Sequence, residues 1–358
     1  MSKNNPAISI VIATFNGEKT LPAVLESIKK QTFPQKRIEI LIIDGGSSDS
    51  TLEIAKKHRC KIVHNQGIEP VGGKILGYKE AKGDYLIFID QDEVVKNVNS
   101  IKNKYIIFKN NSKVKAVIGS GYSNPRNSNF ITSYINEYGD PFTYFLYRNS
   151  KNEKYFIQEL RGMFKVLCED DVSVIFDFTK DGFLFYELGA ANSMIDLKYT
   201  KEKYPHYNVD VFSHLLQHFI SNGDFVAVSK NDPVVHYSST SLVNYSNKIR
   251  WRVKNNIYHT TGIGVSGYLG REKYHPLYLK TKKYLFLPYA YSFIFPIVDS
   301  VFLACNRKDI GYLLHFPLTL FTAFIINYHI LLKLLGYKPQ LRNYDQSRII
   351  KQYNRYEQ

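Results

Sequence analysis

The sequence predicts an α/β fold: a mostly parallel twisted sheet flanked by helices, followed by a C-terminal apolar helical hairpin. Three observations predict it. Over the first hundred residues, short β-branched runs alternate with amphipathic segments, as strand–helix–strand units do. The runs are apolar throughout, as strands covered on both faces are. Beyond Tyr284 the composition shifts to apolar stretches long enough to cross a bilayer.

Ile8–Ala13 is the first strand, followed by Thr14-Phe15-Asn16-Gly17. Thr20 is placed to cap a helix over Leu21–Gln31, with apolar residues at 21, 24, 25 and 28. Ile38–Ile43 is the second strand and runs into Asp44-Gly45-Gly46-Ser47-Ser48-Asp49. Ser50-x-x-Glu53 reads as a capping box for the next helix. Lys61–His64 is a short third strand, and Gly72-Gly73-Lys74 a small-residue loop before a helix ending near Lys82. Tyr85–Ile89 is the fourth strand and delivers Asp90-Gln91-Asp92. The first strand–helix turn lacks G-x-G-x-x-G, which disfavours a dinucleotide fold.

The acidic residues therefore fall at strand ends. In a twisted α/β sheet ligands sit outside the carboxyl ends of the strands. Two carboxylates two residues apart supply hard oxygen ligands suited to Mg²⁺ or Mn²⁺ bridged to phosphates. An acidic turn rich in Gly, Ser and Asp is the plain alternative. Lys and Arg exceed Asp and Glu by 47 − 32 = 15, which favours a polyanionic partner such as nucleic acid, an anionic membrane or a phosphate-bearing substrate. Three distant cysteines fit neither a disulfide framework nor a zinc site and suggest a reducing compartment. Met1–Pro6 opens directly into a strand without the pattern of a signal peptide.

Three motifs in order, I-x-I-V-I-A-T-F-N, L-I-I-D-G-G-S-S-D-S-T and A-K-G-D-Y-L-I-F-I-D-Q-D-E, resemble the N-terminal half of a family 2 glycosyltransferase over residues 6–95. That resemblance implies the GT-A fold, an inverting transfer from a nucleotide-diphosphate sugar, and a divalent metal, Mg²⁺ or Mn²⁺. It implies that Thr14 and Asn16 line the nucleotide pocket and that Asp44 bonds the base. Asp90 would hold the ribose or a metal-bound water, and Asp92 the metal itself. Lys74 falls where the family often places a basic residue near the diphosphate. The Asn usual near Ile75 is absent. The leaving diphosphate gains charge as the bond to the sugar opens, and a metal with a nearby lysine stabilises it. Inversion also needs a base opposite the leaving group.

The polar, Lys- and Asn-rich stretch Asn97–Lys115 reads as a helix and loop, and Lys115–Ser120 reads as a strand. Elements are hard to place from Tyr122 to Asp181, where aromatics interleave with Asn, Ser and Lys; core packing and sugar stacking are both consistent with that pattern. A helix-like run, Val211–Ile220, follows Tyr207-Asn208-Val209-Asp210, and the strand Phe225–Val228 precedes Asn231-Asp232-Pro233-Val234-Val235-His236. This resembles the family's acceptor half, and Asp210 falls on the general base. Val209 departs from the usual Glu. An N-cap aspartate is the plain alternative. His236 would lie near the metal or diphosphate by resemblance. The basic cluster Lys248, Arg250, Trp251, Arg252, Lys254 suits a diphosphate, anionic headgroups or a solvated face.

The expected organisation is a nucleotide-sugar-binding half over 1–100, an acceptor half over 101–275, membrane-associated helices over 276–340 and a polar tail over 341–358. Tyr284–Cys305 and Ile310–Leu335 are each long enough to span a membrane. Spanning, lying in the interface and burial as a soluble pair remain open. The expected protein is a glycosyltransferase at the cytoplasmic face of the cell membrane. It would use a UDP- or GDP-sugar and a lipid-linked or saccharide acceptor, with no nucleic acid. A polyprenyl-phosphate sugar synthase is the alternative within the fold. A non-catalytic polyanion- or nucleic-acid-binding protein is the alternative from another class.

Overall fold

A computed structural model of the chain describes residues 6–66, 70–179, 192–205, 214–238, 240–258 and 275–339. The chain divides into two compact units. One comprises Met1–Ser123 and Asn152–Tyr237, the other Asn124–Lys151 and Ser238–Lys351. The boundaries expected at 100 and 275 do not coincide with these units, because the segment 124–151 joins the C-terminal helices rather than the sheet.

The first unit is built on a nine-stranded sheet. Strands β1 (Ile8–Thr14), β2 (Ile38–Asp44), β3 (Lys61–His64) and β4 (Tyr85–Phe88) lie parallel in the order β3-β2-β1-β4. Ile8, Ile10, Val11 and Ile12 on β1, and Leu86 to Ile89 on and after β4, are wholly buried. Each such side chain contributes about 1.5–3 kcal/mol by leaving water. Helix α1 (Leu21–Lys29) buries Leu21, Val24, Leu25 and Ile28, the stripe its sequence spacing predicts. Thr20 and Ser50 occupy the N-cap positions of α1 and α2 (Thr51–Lys57), yet neither side chain makes a capping hydrogen bond.

Two expectations need correction here. Beyond its first four parallel strands the sheet is mixed rather than mostly parallel. Beyond β4, strand β10 (Ser193–Asp196) runs antiparallel to both β4 and β6 (Val114–Ile118). Strand β11 (Phe225–Ser229) is parallel to β6, and β9 (Ser173–Phe176) and β8 (Val166–Glu169) close the sheet antiparallel. Gly72-Gly73-Lys74 is not a loop, since helix α3 spans Pro70–Glu80. Its glycines serve close packing. A Cβ on Gly77 would fall 2.3 Å from Val11 Cγ1, and one on Gly73 3.2 Å from Ala13 Cβ. The helix thus approaches the sheet more closely than side chains would permit.

A second, three-stranded sheet orders β5 (Glu93–Val95), β12 (Val234–His236) and β7 (Tyr122–Ser123) as β5-β12-β7. Helix α4 (Ser100–Asn110) lies in the polar stretch expected to hold a helix and loop, and Lys104 and Ser100 on it are fully buried. Lys104 forms an ion pair with Asp232, also fully buried, and donates to Ser100 Oγ at 2.8 Å. Burial pulls the Lys104 ammonium below its usual range, against the opposing pull of Asp232.

The second unit is helical. It contains α5 (Phe130–Tyr138), α6 (Pro141–Tyr147), α10 (Leu242–Tyr258), α11 (Leu277–Lys282), α12 (Phe286–Tyr291), α13 (Ile294–Arg307) and α14 (His315–Leu334). In the first unit α7 (Phe156–Met163), α8 (Leu197–Lys203) and α9 (Leu215–Ser221) complete the helices among the described residues. The aromatic stretch that defied placement forms core: Tyr134, Tyr138 and Tyr144 pack with Tyr245, Leu303 and Tyr312. Their hydroxyls find partners, with Tyr134 at 2.6 Å from His315 Nδ1 and Tyr245 donating to the Gly139 carbonyl at 3.1 Å. Tyr284–Cys305 is not one continuous helix: the paths of Leu277–Tyr291 and Ile294–Arg307 meet at 92°. Phe293 at the break has φ 59°, a strained value for a bulky residue.

Candidate functional site

Because β1 to β4 are parallel, their carboxyl ends share one edge of the sheet. Thr14, at the end of β1, stands opposite Asp44 at the end of β2. Its hydroxyl donates to Asp44 Oδ1 at 3.2 Å, and both residues are buried. Asp44 Oδ2 accepts the backbone N–H groups of Gly46 and Ser47, each at 2.9 Å. The carboxylate therefore holds the Gly45–Ser48 turn in one shape. Asn16 adopts φ 49°, which asparagine tolerates in tight turns. Its side-chain oxygen accepts from Ser48 N at 2.9 Å, and its own N–H donates to Ser47 Oγ at 2.9 Å. The first two strand-end loops are thus laced together.

The ends of α3 and β4 supply the charged part. Lys74 is nearly buried, and its Nζ lies 2.5 Å from Asp90 Oδ1. The glycines at 73 and 77 bring the helix close enough for this contact. Asp90 N–H donates to Glu93 Oε2 at 3.1 Å, which fixes the turn after β4. Asp92 lies at the entry to β5, and β12 places His236 opposite Glu93 in the antiparallel register. His236 Nε2 is 3.7 Å from Asp92 Oδ2, with the imidazole 5.0 Å from the Tyr122 ring. Thr14 and Asp44 are joined directly, as are Lys74 with Asp90 and Asp92 with His236. Asp210 lies outside the described residues.

Sequence reasoning passed over three supporting residues. Gln91 sits between the two aspartates and clamps the Phe15 backbone. It accepts from Phe15 N at 2.9 Å and donates to Phe15 O at 3.2 Å. Ser47 bridges Asp44 and Asn16. Glu93, buried to 1%, holds Asp90. Only the position of Gln91 inside the acidic motif gave a hint, since a glutamine there bears no charge that would single it out.

The chemistry available at this sheet edge is that of carboxylates, which accept hydrogen bonds and attract cations, with Lys74 paired to Asp90. Among the described residues no group of three or more His, Cys, Asp or Glu converges on one point. Asp92 and His236 by themselves offer one carboxylate oxygen and one imidazole nitrogen. A divalent cation held there would take its remaining ligands from water or from a phosphate-bearing ligand.

Residues 9–172 match the model of Glycosyl transferase family 2. Over 101 residues the chain is 30% identical to the poly(ribitol-phosphate) beta-N-acetylglucosaminyltransferase TarS of Staphylococcus aureus, a stretch that is 26% of this chain and 18% of TarS. Over 106 residues it is 38% identical to a dolichyl N-acetyl-alpha-D-glucosaminyl phosphate 3-beta-D-2,3-diacetamido-2,3-dideoxy-beta-D-glucuronosyltransferase of Methanococcus voltae, covering 26% of this chain and 33% of that protein. The chain therefore matches no more than a third of either curated relative. A solved mannosyltransferase, PcManGT from Pyrobaculum calidifontis in complex with GDP-Man and Mn²⁺, is similar over 92% of this chain and 88% of its own, with TM-score 0.51 and 11% identity. That likeness establishes the GT-A-like fold.

Proposed function

We propose that the chain is a hexosyltransferase using a nucleotide-diphosphate sugar, a reading supported by the match of residues 9–172 to the Glycosyl transferase family 2 model. Its acceptor would be a saccharide or a lipid-linked molecule, and the two curated relatives are named for a poly(ribitol-phosphate) and a dolichyl N-acetylglucosaminyl phosphate. One observation carries the reading. A hydrogen-bonding Thr14–Asp44 pair and a Lys74–Asp90 ion pair occupy the same strand-end edge, with Asp92 and His236 beside the latter on the next turn.

In this reading Asp44 and the loops of Thr14 and Asn16 receive the nucleoside, UDP or GDP. Both oxygens of Asp44 already accept hydrogen bonds, so the base would meet a carboxylate held rigidly in place. Asp90 binds the ribose while Lys74 lies beside the diphosphate. Asp92 and His236 would hold Mg²⁺ or Mn²⁺. A metal bound there stabilises the charge that develops on the leaving diphosphate. Lys74 adds a fixed positive charge on the same side, with its flexible stem immobilised by burial. Asp210 is the proposed base that takes the acceptor proton, giving inversion at the anomeric carbon. The protein would work at the cytoplasmic face of the cell membrane, a placement supported by the exposed apolar residues of its C-terminal helices.

The test is thermal unfolding of the detergent-purified chain with UDP, GDP, dTDP and CDP, each with and without Mn²⁺ or Mg²⁺. A ligand that binds only the folded state raises Tm by mass action. Metal-dependent stabilisation by one nucleotide, lost in Asp92→Ala, is expected. Stabilisation by single-stranded nucleic acid instead, with no response to any nucleotide, would overturn the assignment.

A further inference from the structure

Successive helices of the second unit leave large apolar side chains exposed. On α13 the side chains of Ile294, Val298, Val301 and Phe302 are exposed, while Pro296, Ser300 and Leu303 are buried. On α14 and its C-cap, Phe324, Tyr328, Leu331 and Leu335 recur at helical spacing on the exposed side. His315, Leu318, Thr319, Thr322, Ala323 and Ile325 are buried on the same helix. A helix whose outer face meets water carries polar side chains there, and an exposed apolar surface of this kind marks an interaction site.

Charge frames that surface. Lys280, Lys282 and Lys283 precede it and Lys308 follows α13, while Arg307 is paired with the buried Glu137 at 2.7 Å. Between residues 277 and 339 the only acidic residues are Asp299 and Asp309. Asp299 is engaged by Arg148 at 2.5 Å and by the Tyr289 hydroxyl, and Asp309 accepts from Gly311 N at 2.8 Å. The frame is therefore cationic and complements anionic lipid headgroups.

We infer that α13 and α14 dock on a single leaflet of an anionic bilayer and that neither crosses it. This rests on the membrane association proposed above and adds its geometry. Helix α13 has 14 residues and is about 21 Å long, short of a hydrocarbon core of about 30 Å. The 92° turn before it means that α13 does not continue the preceding helices as one straight span. The Arg148–Asp299 pair lies at its middle, with the Arg148 side chain 42% exposed.

Helix α14 is long enough, but α10 runs beside it. The Arg250 guanidinium lies 5.1 Å from the Phe321 ring centre. The Tyr258 hydroxyl donates to the His329 carbonyl at 3.0 Å, and Lys333 Nζ to the Ile257 carbonyl at 2.7 Å. A crossing by α14 would carry Arg250, Arg252 and Lys254 of α10 into hydrocarbon, where cations are strongly disfavoured. Lying in the interface buries the apolar face and leaves α10 in water.

The full chain is tested in two ways. In flotation, it should bind vesicles of phosphatidylcholine with one-quarter phosphatidylglycerol at least about tenfold more than phosphatidylcholine alone. Val298→Asp with Phe302→Asp should abolish binding without changing Tm, since both positions are exposed. Binding unaffected by those substitutions would overturn the docking face. Sidedness is then read in bacterial spheroplasts and inverted vesicles with an impermeant maleimide. The chain carries Cys60→Ser, Cys168→Ser and Lys308→Cys and retains Cys305. A chain with Cys168 as its single cysteine reports the side of the first unit. Labelling at 305 and 308 only on the Cys168 side is expected. Labelling in intact spheroplasts would show a crossing and overturn the inference while leaving membrane association standing. Failure to bind either vesicle would overturn both.

Discussion

Replacing Lys104 by Met should destabilise the first unit by about 3–5 kcal/mol, because it leaves the Asp232 carboxylate buried without its counter-ion. Both side chains are wholly inaccessible. The residual bonds do not compensate. Ser100 Oγ is bonded to Asn192 at 2.6 Å and to Lys104 itself, and Ser120 Oγ accepts from the Asp232 backbone, not its carboxylate. For a unit of this size the loss corresponds to a fall in Tm of about 6–20 °C. Asp232→Leu should cost a similar amount, because it strands the ammonium. The double variant, which buries neither charge, should return to within about 1 kcal/mol of the parent or exceed it. The assay is a double-mutant cycle by urea unfolding, with Tm as a second reading. A coupling below about 1 kcal/mol would refute the reasoning, since it would mean the two groups are solvated as a surface pair is.

Other consequences follow from named contacts. Burial pushes His315 down to about 3, among Tyr134, Tyr289 and Thr319 with Asp299 and Arg148 nearby. Its stabilising contribution is complete above the unfolded value near 6.5 and is lost as pH falls towards 3, at about 1.4 kcal/mol per pH unit; His315→Gln should flatten that slope in acid-unfolding curves, and an unaltered slope would assign it elsewhere. Gly72→Ala and Gly77→Ala should differ in unfolding free energy by about 1–3 kcal/mol although both add the same methyl to α3. Nothing lies within 4 Å of a Cβ on Gly72, whereas one on Gly77 collides with Val11; equal effects in urea titrations would show that the helix can shift away. Lys74→Met should weaken binding of the metal–nucleotide diphosphate by about 10- to 150-fold in calorimetry, the worth of a charge-assisted contact. An unchanged Kd would remove Lys74 from the proposed site.

What the sequence by itself determined lies mostly within residues 8–92. Continuous apolar runs fixed β1 to β4, the period of apolar residues fixed α1, and the acidic residues at strand ends marked one edge of the sheet. These signals are local, so a linear reading recovers them. The glycines of α3 misled that reading, because their reason is a contact with Val11 and Ala13 from another element. The tertiary structure alone decided the antiparallel β10, whose partners lie far from it in the chain. It alone brought Asp92 beside His236, since β5 and β12 are separated by more than a hundred residues yet pair in register. It also turned the tyrosines of α5 and α6 into the core of the second unit, where Tyr134 finds its partner in His315 and Tyr138 in Arg307, both from distant helices. Lys104 gives the shortest account of the difference. A lysine in a polar stretch reads as surface, and only the arrival of Asp232, 128 positions later, makes its burial tolerable.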